Sequence, residues 1–302
     1  VVALLQGELI SQIITIILIL LFEKRLRVYK RTVDRKEIQK EMLRYSVPLV
    51  PSALSWWVIS ASDRYVIRWI LGSASNGIYA VAHKFPSILQ IMFTMFNNAW
   101  TDLALAELGK GKESEEYTAK VFEQLYMFSF GVAFVLIPFT KIVTQLVLSE
   151  SYKIASIYIG FLYLGTVFQG FSSFCSIGYL QGKKTVRAAS SSIIGAIVNL
   201  LIDVVLMKYI GLFAAALSTF AGFLAMWVVR MRDIKDDYPI KINYKKFGVW
   251  FIACVLMAVV TIWTHFEVDL MLTAFAGILF FLWNRKMIGS VLGKIIKKLQ
   301  RL

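Results

Sequence analysis

Apolar residues run in nine stretches separated by short polar segments. The stretches are Val1–Phe22, Tyr45–Leu71, Gly77–Leu105, Val121–Thr140, Ile154–Leu180, Ala188–Met207, Leu212–Val229, Phe247–Thr264 and Leu270–Asn284. A helix rising 1.5 Å per residue needs about 20 apolar residues to cross the hydrocarbon of a bilayer. The pattern therefore predicts an all-α fold, a polytopic transmembrane bundle of about nine spans. The ninth stretch is the shortest at its apolar limits.

The charge pattern orients these spans. Lysines and arginines crowd into alternate loops: nine in Glu23–Arg44, two in Glu107–Thr118, three in Gln181–Arg187, six in Arg230–Lys246 and six from Arg285 onward. The intervening loops hold three, Lys141, Lys153 and Lys208. By the positive-inside rule the basic loops and the C-terminus are cytoplasmic and Val1 lies outside. The outer loops are too short for a catalytic domain. From Arg285, Ile288, Val291, Leu292, Ile295 and Leu299 recur at helical spacing opposite Lys294, Lys297, Lys298 and Arg301. That is the pattern of an amphipathic helix on the inner leaflet or of a solvated basic tail. Val1 is already inside an apolar run with no charged segment or cleavage site before it, so the chain reads as a piece of a longer protein.

Composition narrows the class further. The 302 residues are 58% hydrophobic with a net charge of +14, a mean hydropathy of +0.66 and a pI near 9.7. Such basicity in a soluble chain would suggest nucleic acid, but the long apolar runs and the absence of any nucleic-acid motif argue against that. Anionic lipid head groups are the better partner. Cys175 and Cys254 both sit in apolar runs without metal-ligand spacing, so they read as buried small hydrophobes.

Polar residues inside the spans are the candidates for function. In the third span His83, Ser87, Gln90, Thr94, Asn97, Asn98 and Thr101 fall on one stripe of a 3.6-residue period. Hydrocarbon would not tolerate that stripe, so it faces protein or a water-filled cavity. The second span carries Asp63, Arg64 and Arg68 in its outer third, and a short turn brings Lys84 and His83 back to similar depth. Arg68 and Lys84 lie near enough to the surface to snorkel, and Asp63 has an arginine beside it to pair with. Elsewhere Glu8, Ser11, Gln12 and Thr15 share a side of the first span. Gln169, Ser173 and Ser176 do so in the fifth, and Ser192, Gly195, Asn199 and Asp203 in the sixth. Glu8, Asp63 and Asp203 are candidates for a proton or ion-coupling role, with helix-end or packing duties as the alternative.

Pro48 and Pro51 interrupt the second span, Pro86 the third and Pro138 the end of the fourth, each removing a backbone donor. Broken helices beside a polar cavity occur in transporters. Nothing matches a Walker loop, a dinucleotide turn, a nucleophile elbow or a zinc helix, so no catalytic residue, metal or cofactor is predicted.

The order and spacing of several elements resemble the polysaccharide repeat-unit (O-antigen or oligosaccharide) flippases of the multidrug/oligosaccharidyl-lipid/polysaccharide exporter superfamily. They are Tyr45-Ser-Val-Pro-Leu-Val-Pro51, Ser55-Trp56-Trp57, Asp63-Arg64-Tyr65, Gly77-Ile-Tyr79 through Lys84 to Phe96-Asn-Asn-Ala-Trp100, and Gly182-Lys-Lys-Thr185. The resemblance implies two six-helix lobes around a central cavity. Residues 1–22 would be the last helix of an incomplete N-lobe and 23–44 a basic cytoplasmic linker. Residues 45–230 would form the C-lobe, and 231–302 two additional helices with a basic tail. Most of an N-lobe is missing from this sequence. The implied substrate is an undecaprenyl-diphosphate-linked oligosaccharide crossing the bacterial inner membrane by alternating access. Arg64, Arg68, Lys84 and His83 would meet the diphosphate; Ser87, Gln90, Thr94, Asn97, Asn98, Thr101, Gln169 and Asn199 would line the cavity. Implied partners are membrane lipids and the polysaccharide polymerase and chain-length machinery. A cation-coupled multidrug exporter, a membrane polymerase or ligase, and a non-transporting component of glycan assembly are the competing readings.

Overall fold

A computed structural model describes residues 2–22, 35–106, 112–235, 238 and 240–299. They form eleven helices and, among the described residues, no strand. Two units separate, residues 1–44 and 45–302. The first holds α1 (Val2–Phe22), on which Glu8 is exposed, and most of α2 (Arg35–Ser46). The second holds α3 (Leu49–Ile70), α4 (Gly72–Ala106), α5 (Lys112–Val147), α6 (Glu150–Lys153), α7 (Ser156–Gln181), α8 (Thr185–Ile210), α9 (Leu212–Asp233), α10 (Tyr244–Trp263) and α11 (Phe266–Leu299).

The nine apolar stretches are helical, the second with a break at Val47–Pro48 between α2 and α3. Six helical segments are long and apolar enough to cross a membrane, within α5–α11. The charges of α3 and the polar stripe of α4 make those two less apolar. The molecule is a multi-span helical membrane protein.

Several boundaries differ from the sequence expectation. Part of the basic linker is the polar helix α2; the remainder, 23–34, lies outside the described residues. The stretch Gly72–Asn76 is not a loop: α4 starts at Gly72, whose φ of +88° turns the chain within one residue of α3. Pro48 is the N-cap of α3 and Pro51 falls in its first turn, where a missing N–H breaks nothing. The break expected at Pro48 is present, since helix stops at Ser46 and resumes at Leu49; Pro51 interrupts nothing, and Pro86 and Pro138 lie inside α4 and α5, which continue through them. Beyond Asn284, α11 continues as helix to Leu299; the side chains that would make its amphipathic face lie outside the described residues.

In the second unit α7 is the hub. It packs against α4, α5, α9 and α10, while α8 packs on α9 and α3, and α11 on α5. Small residues allow the close approaches: a Cβ on Gly195 of α8 would stand 2.9 Å from the carbonyl oxygen of Gly222 on α9. Such contacts, not the hydrophobic effect, hold helices together in lipid. Rings fill the space between them, with Trp227 stacked on Phe247 at 5.1 Å and Trp100 on Phe174 at 5.0 Å. By the α10–α11 turn, Lys141 of α5 sits 3.3 Å from Asp269 of α11, both buried. Its ammonium also donates to the carbonyls of Thr261 and Thr264, fixing the α10–α11 turn.

Candidate functional site

Three polar centres lie inside the second unit. The first is a cleft of about 280 Å³ lined by Trp56 of α3, by Gln90, Phe93, Thr94, Asn97 and Asn98 of α4, and by Gln169, Gly170 and Ser173 of α7. The helical period that put the α4 residues on one stripe also aims them here. Thr94 turns its hydroxyl back to the Gln90 carbonyl at 3.0 Å, so the side-chain amides are the groups left to a ligand. Asn97 Oδ1 is buried without a hydrogen-bond partner, an acceptor that a ligand donor would satisfy. Trp56 and Phe93 supply apolar walls. Ser87 and Thr101 belong to the same stripe but do not line the cleft; their hydroxyls bond the carbonyls of Lys84 and Asn97.

The second centre is a buried node around Asp63, among α3, α4, α8 and α9. Its Oδ2 accepts from Tyr79 at 2.7 Å and Thr219 at 2.6 Å, and its Oδ1 from Asn199 Nδ2 at 3.3 Å. Ser62 donates to Asn199 Oδ1 at 3.2 Å. Two expectations are corrected here. Asp63 does not pair with an arginine, because its side chain points toward α8 and α9 while Arg64 and Arg68 point out of the unit. Asn199 is fully buried in this node and does not line the cleft. Asp203 lies one turn beyond Asn199 on α8. It is fully buried, and neither carboxylate oxygen has a hydrogen-bond partner.

Arg64, Arg68 and Lys84 are exposed and make no ion pair among the described residues. His83 is half-buried with its ring 6.0 Å from that of Tyr79. These four lie toward the turn end of the α3–α4 hairpin, and Gln90 follows Lys84 along α4 by less than two turns.

The third centre was not anticipated. Arg230 of α9 is 1% exposed. Its Nε donates to Ser191 Oγ at 3.1 Å and its Nη2 to Ser192 Oγ at 2.8 Å. Nη1 reaches the Ser172 carbonyl at 2.6 Å and Ser176 Oγ at 2.5 Å. The guanidinium carbon stands 5.4 Å from the Trp56 ring centroid and 5.8 Å from that of Tyr179. Among the described residues no carboxylate pairs with it. In the sequence Arg230 stands at the head of a basic loop and counts as a topology signal. The serines at matching depth on two other spans were the available clue.

Residues 1–101 match the model of a family described as polysaccharide biosynthesis protein. The matched stretch carries α1, α2, α3 and most of α4, and so Trp56, Asp63, Gln90, Asn97 and Asn98, but not α7–α9. No curated protein and no solved structure gives a match.

Proposed function

We propose that this chain is part of a polysaccharide-biosynthesis exporter that turns a lipid-diphosphate-linked oligosaccharide from the cytoplasmic to the outer face of a bacterial inner membrane. The observation that carries this reading is the amide-rich cleft. Four carboxamides, from Gln90, Asn97, Asn98 and Gln169, face one space bounded by two aromatic side chains inside a membrane bundle. Carboxamides supply both donors and acceptors to hydroxyls, and aromatic faces suit the C–H faces of sugar rings. The family match over residues 1–101 supports the same class of work.

In this reading Arg64, Arg68, Lys84 and His83 meet the diphosphate, as exposed cations on the α3–α4 hairpin suit a doubly charged group. Ser87 and Thr101 extend the polar stripe beyond the cleft. Asp63 and Asp203, with Asn199, Thr219 and Tyr79, form the ion-coupling centre, where a proton or monovalent cation compensates two buried acids; Glu8 is a third carboxylate for that role. Residues 45–230 act as the C-lobe, 1–22 as the last helix of a partner lobe, 23–44 as the linker and 231–302 as an added pair with a cytoplasmic C-terminus. Rocking of the two lobes gives alternating access. Polymerase and chain-length machinery would take up the product. The competing drug-exporter reading is weakened because no carboxylate lines the cleft, where a cationic drug would need one.

The test is complementation of a flippase-deficient strain with the intact gene, scoring surface polysaccharide. Replacing Arg64, Arg68 and Lys84 together by Gln is expected to abolish export. Undiminished export at normal protein level would remove the diphosphate assignment.

A further inference from the structure

A guanidinium buried in a membrane bundle without a carboxylate is costly, even when its N–H groups are bonded. Hydroxyls and one carbonyl satisfy the donors of Arg230 but leave its charge uncompensated. On one side stands the indole of Trp56, and the cleft lies against that same residue. Ser173, which lines the cleft, directly follows Ser172, whose carbonyl holds the guanidinium. A single aromatic layer therefore separates a fixed positive charge from a cavity whose own lining is neutral. Carboxamide N–H groups around that cavity are donors ready for an anion.

We propose that Arg230, acting through Trp56, makes the cleft selective for an anionic group carried on the saccharide. This rests on the reading of the cleft as a glycan site and adds the charge of the ligand. The shared chemistry is a carboxylate or phosphate oxygen cluster attached to sugar. Arg230 is a positioning residue here, since it acts on the ligand across the indole. At an effective dielectric near 20, a unit charge roughly 10 Å from an anion favours it over a neutral ligand by about ten- to twentyfold. The site is distinct from Arg64, Arg68 and Lys84, which lie nearer the turn end of the same hairpin.

The experiment measures binding to the intact protein in nanodiscs of three probes. They are a polyprenyl diphosphate bearing a glucuronate disaccharide, the same lipid bearing a glucose disaccharide, and the polyprenyl diphosphate without sugar. Wild type is expected to prefer the glucuronate probe to the glucose probe by about ten- to twentyfold. Arg230→Gln should remove that preference while leaving glucose-probe affinity in place, and Arg230→Lys should keep part of it. An Arg230-dependent loss seen equally with all three probes would overturn the proposal, because the anion sensed would then be the shared diphosphate and not a group on the sugar. Ser173→Asp, at a half-buried lining position that leaves the Arg230 bonds untouched, should reverse the preference even if Arg230→Gln does not fold. The proposal is overturned if folded Arg230→Gln leaves all three affinities unchanged, or if Ser173→Asp does so. Binding of the sugar-free lipid as tightly as both glycosylated probes would instead sink the glycan reading of the cleft.

Discussion

Tyr79 on α4 and Thr219 on α9 donate to the same oxygen of Asp63, at 2.7 and 2.6 Å, so one carboxylate of α3 joins three helices. Removing the phenol hydroxyl takes away one bond to that carboxylate and leaves the others. Tyr79→Phe should therefore cost about 1.5–3 kcal/mol of stability, read as a lower unfolding temperature in detergent. Asp63→Asn should retain the fold more fully, yet lose polysaccharide export if the carboxylate couples ion movement. Full export by Asp63→Asn would exclude that role.

The contact between α8 and α9 depends on two glycines. A Cβ at Gly222 would lie 2.9 Å from Cβ of Asn199 and 3.0 Å from the Gly195 carbonyl. Gly195→Val should overpack the interface by about 1–3 kcal/mol and, through Asn199, disturb the Asp63 node. Gly248→Ala, where a new Cβ meets nothing within 4 Å, should be neutral or slightly stabilising because alanine favours helix. Thermal unfolding of the two variants separates the cases.

Lys141 and Asp269 are a buried pair whose members fail differently alone and together. Lys141→Met or Asp269→Leu singly should cost about 3–5 kcal/mol, because each leaves an uncompensated charge. The double replacement should recover much of that loss. Additive losses in a double-mutant cycle would show that the two residues do not act as a pair.

Orientation can be read with thiol reagents, since both native cysteines are buried. Ser73→Cys, in the first turn of α4, should label from outside intact spheroplasts. Lys241→Cys, in the connection before α10, should label only after permeabilisation. The reverse pattern would invert the topology inferred from the basic loops.

The spans were legible because a bilayer demands length and apolarity, and both are local properties of the chain. The α4 stripe was legible for a similar reason: helical period alone places Gln90, Thr94, Asn97 and Asn98 on one side. Which neighbour faces a given side is not local. Asn199 shares a period with Ser192 and Asp203, yet only the packing of α8 on α3 decides that it binds Asp63 and not a ligand. The linker helix α2 was hidden because its twelve residues are mostly polar and lack an apolar run. Arg230 was not legible because an arginine at the end of an apolar span beside a basic loop is ordinary; its burial comes from serines on α7 and α8.

Phe93 lies where a side chain at position 170 would project: a Cβ there would stand 2.3 Å from the ring. One wall of the cleft is thus held in place by a missing methyl group on the opposing helix. Even alanine at 170 would displace the ring and reshape the opening, without altering any polar atom. The width of the cleft, and with it the bulk of any ligand it admits, is consequently open to adjustment at a residue that contributes no side chain of its own.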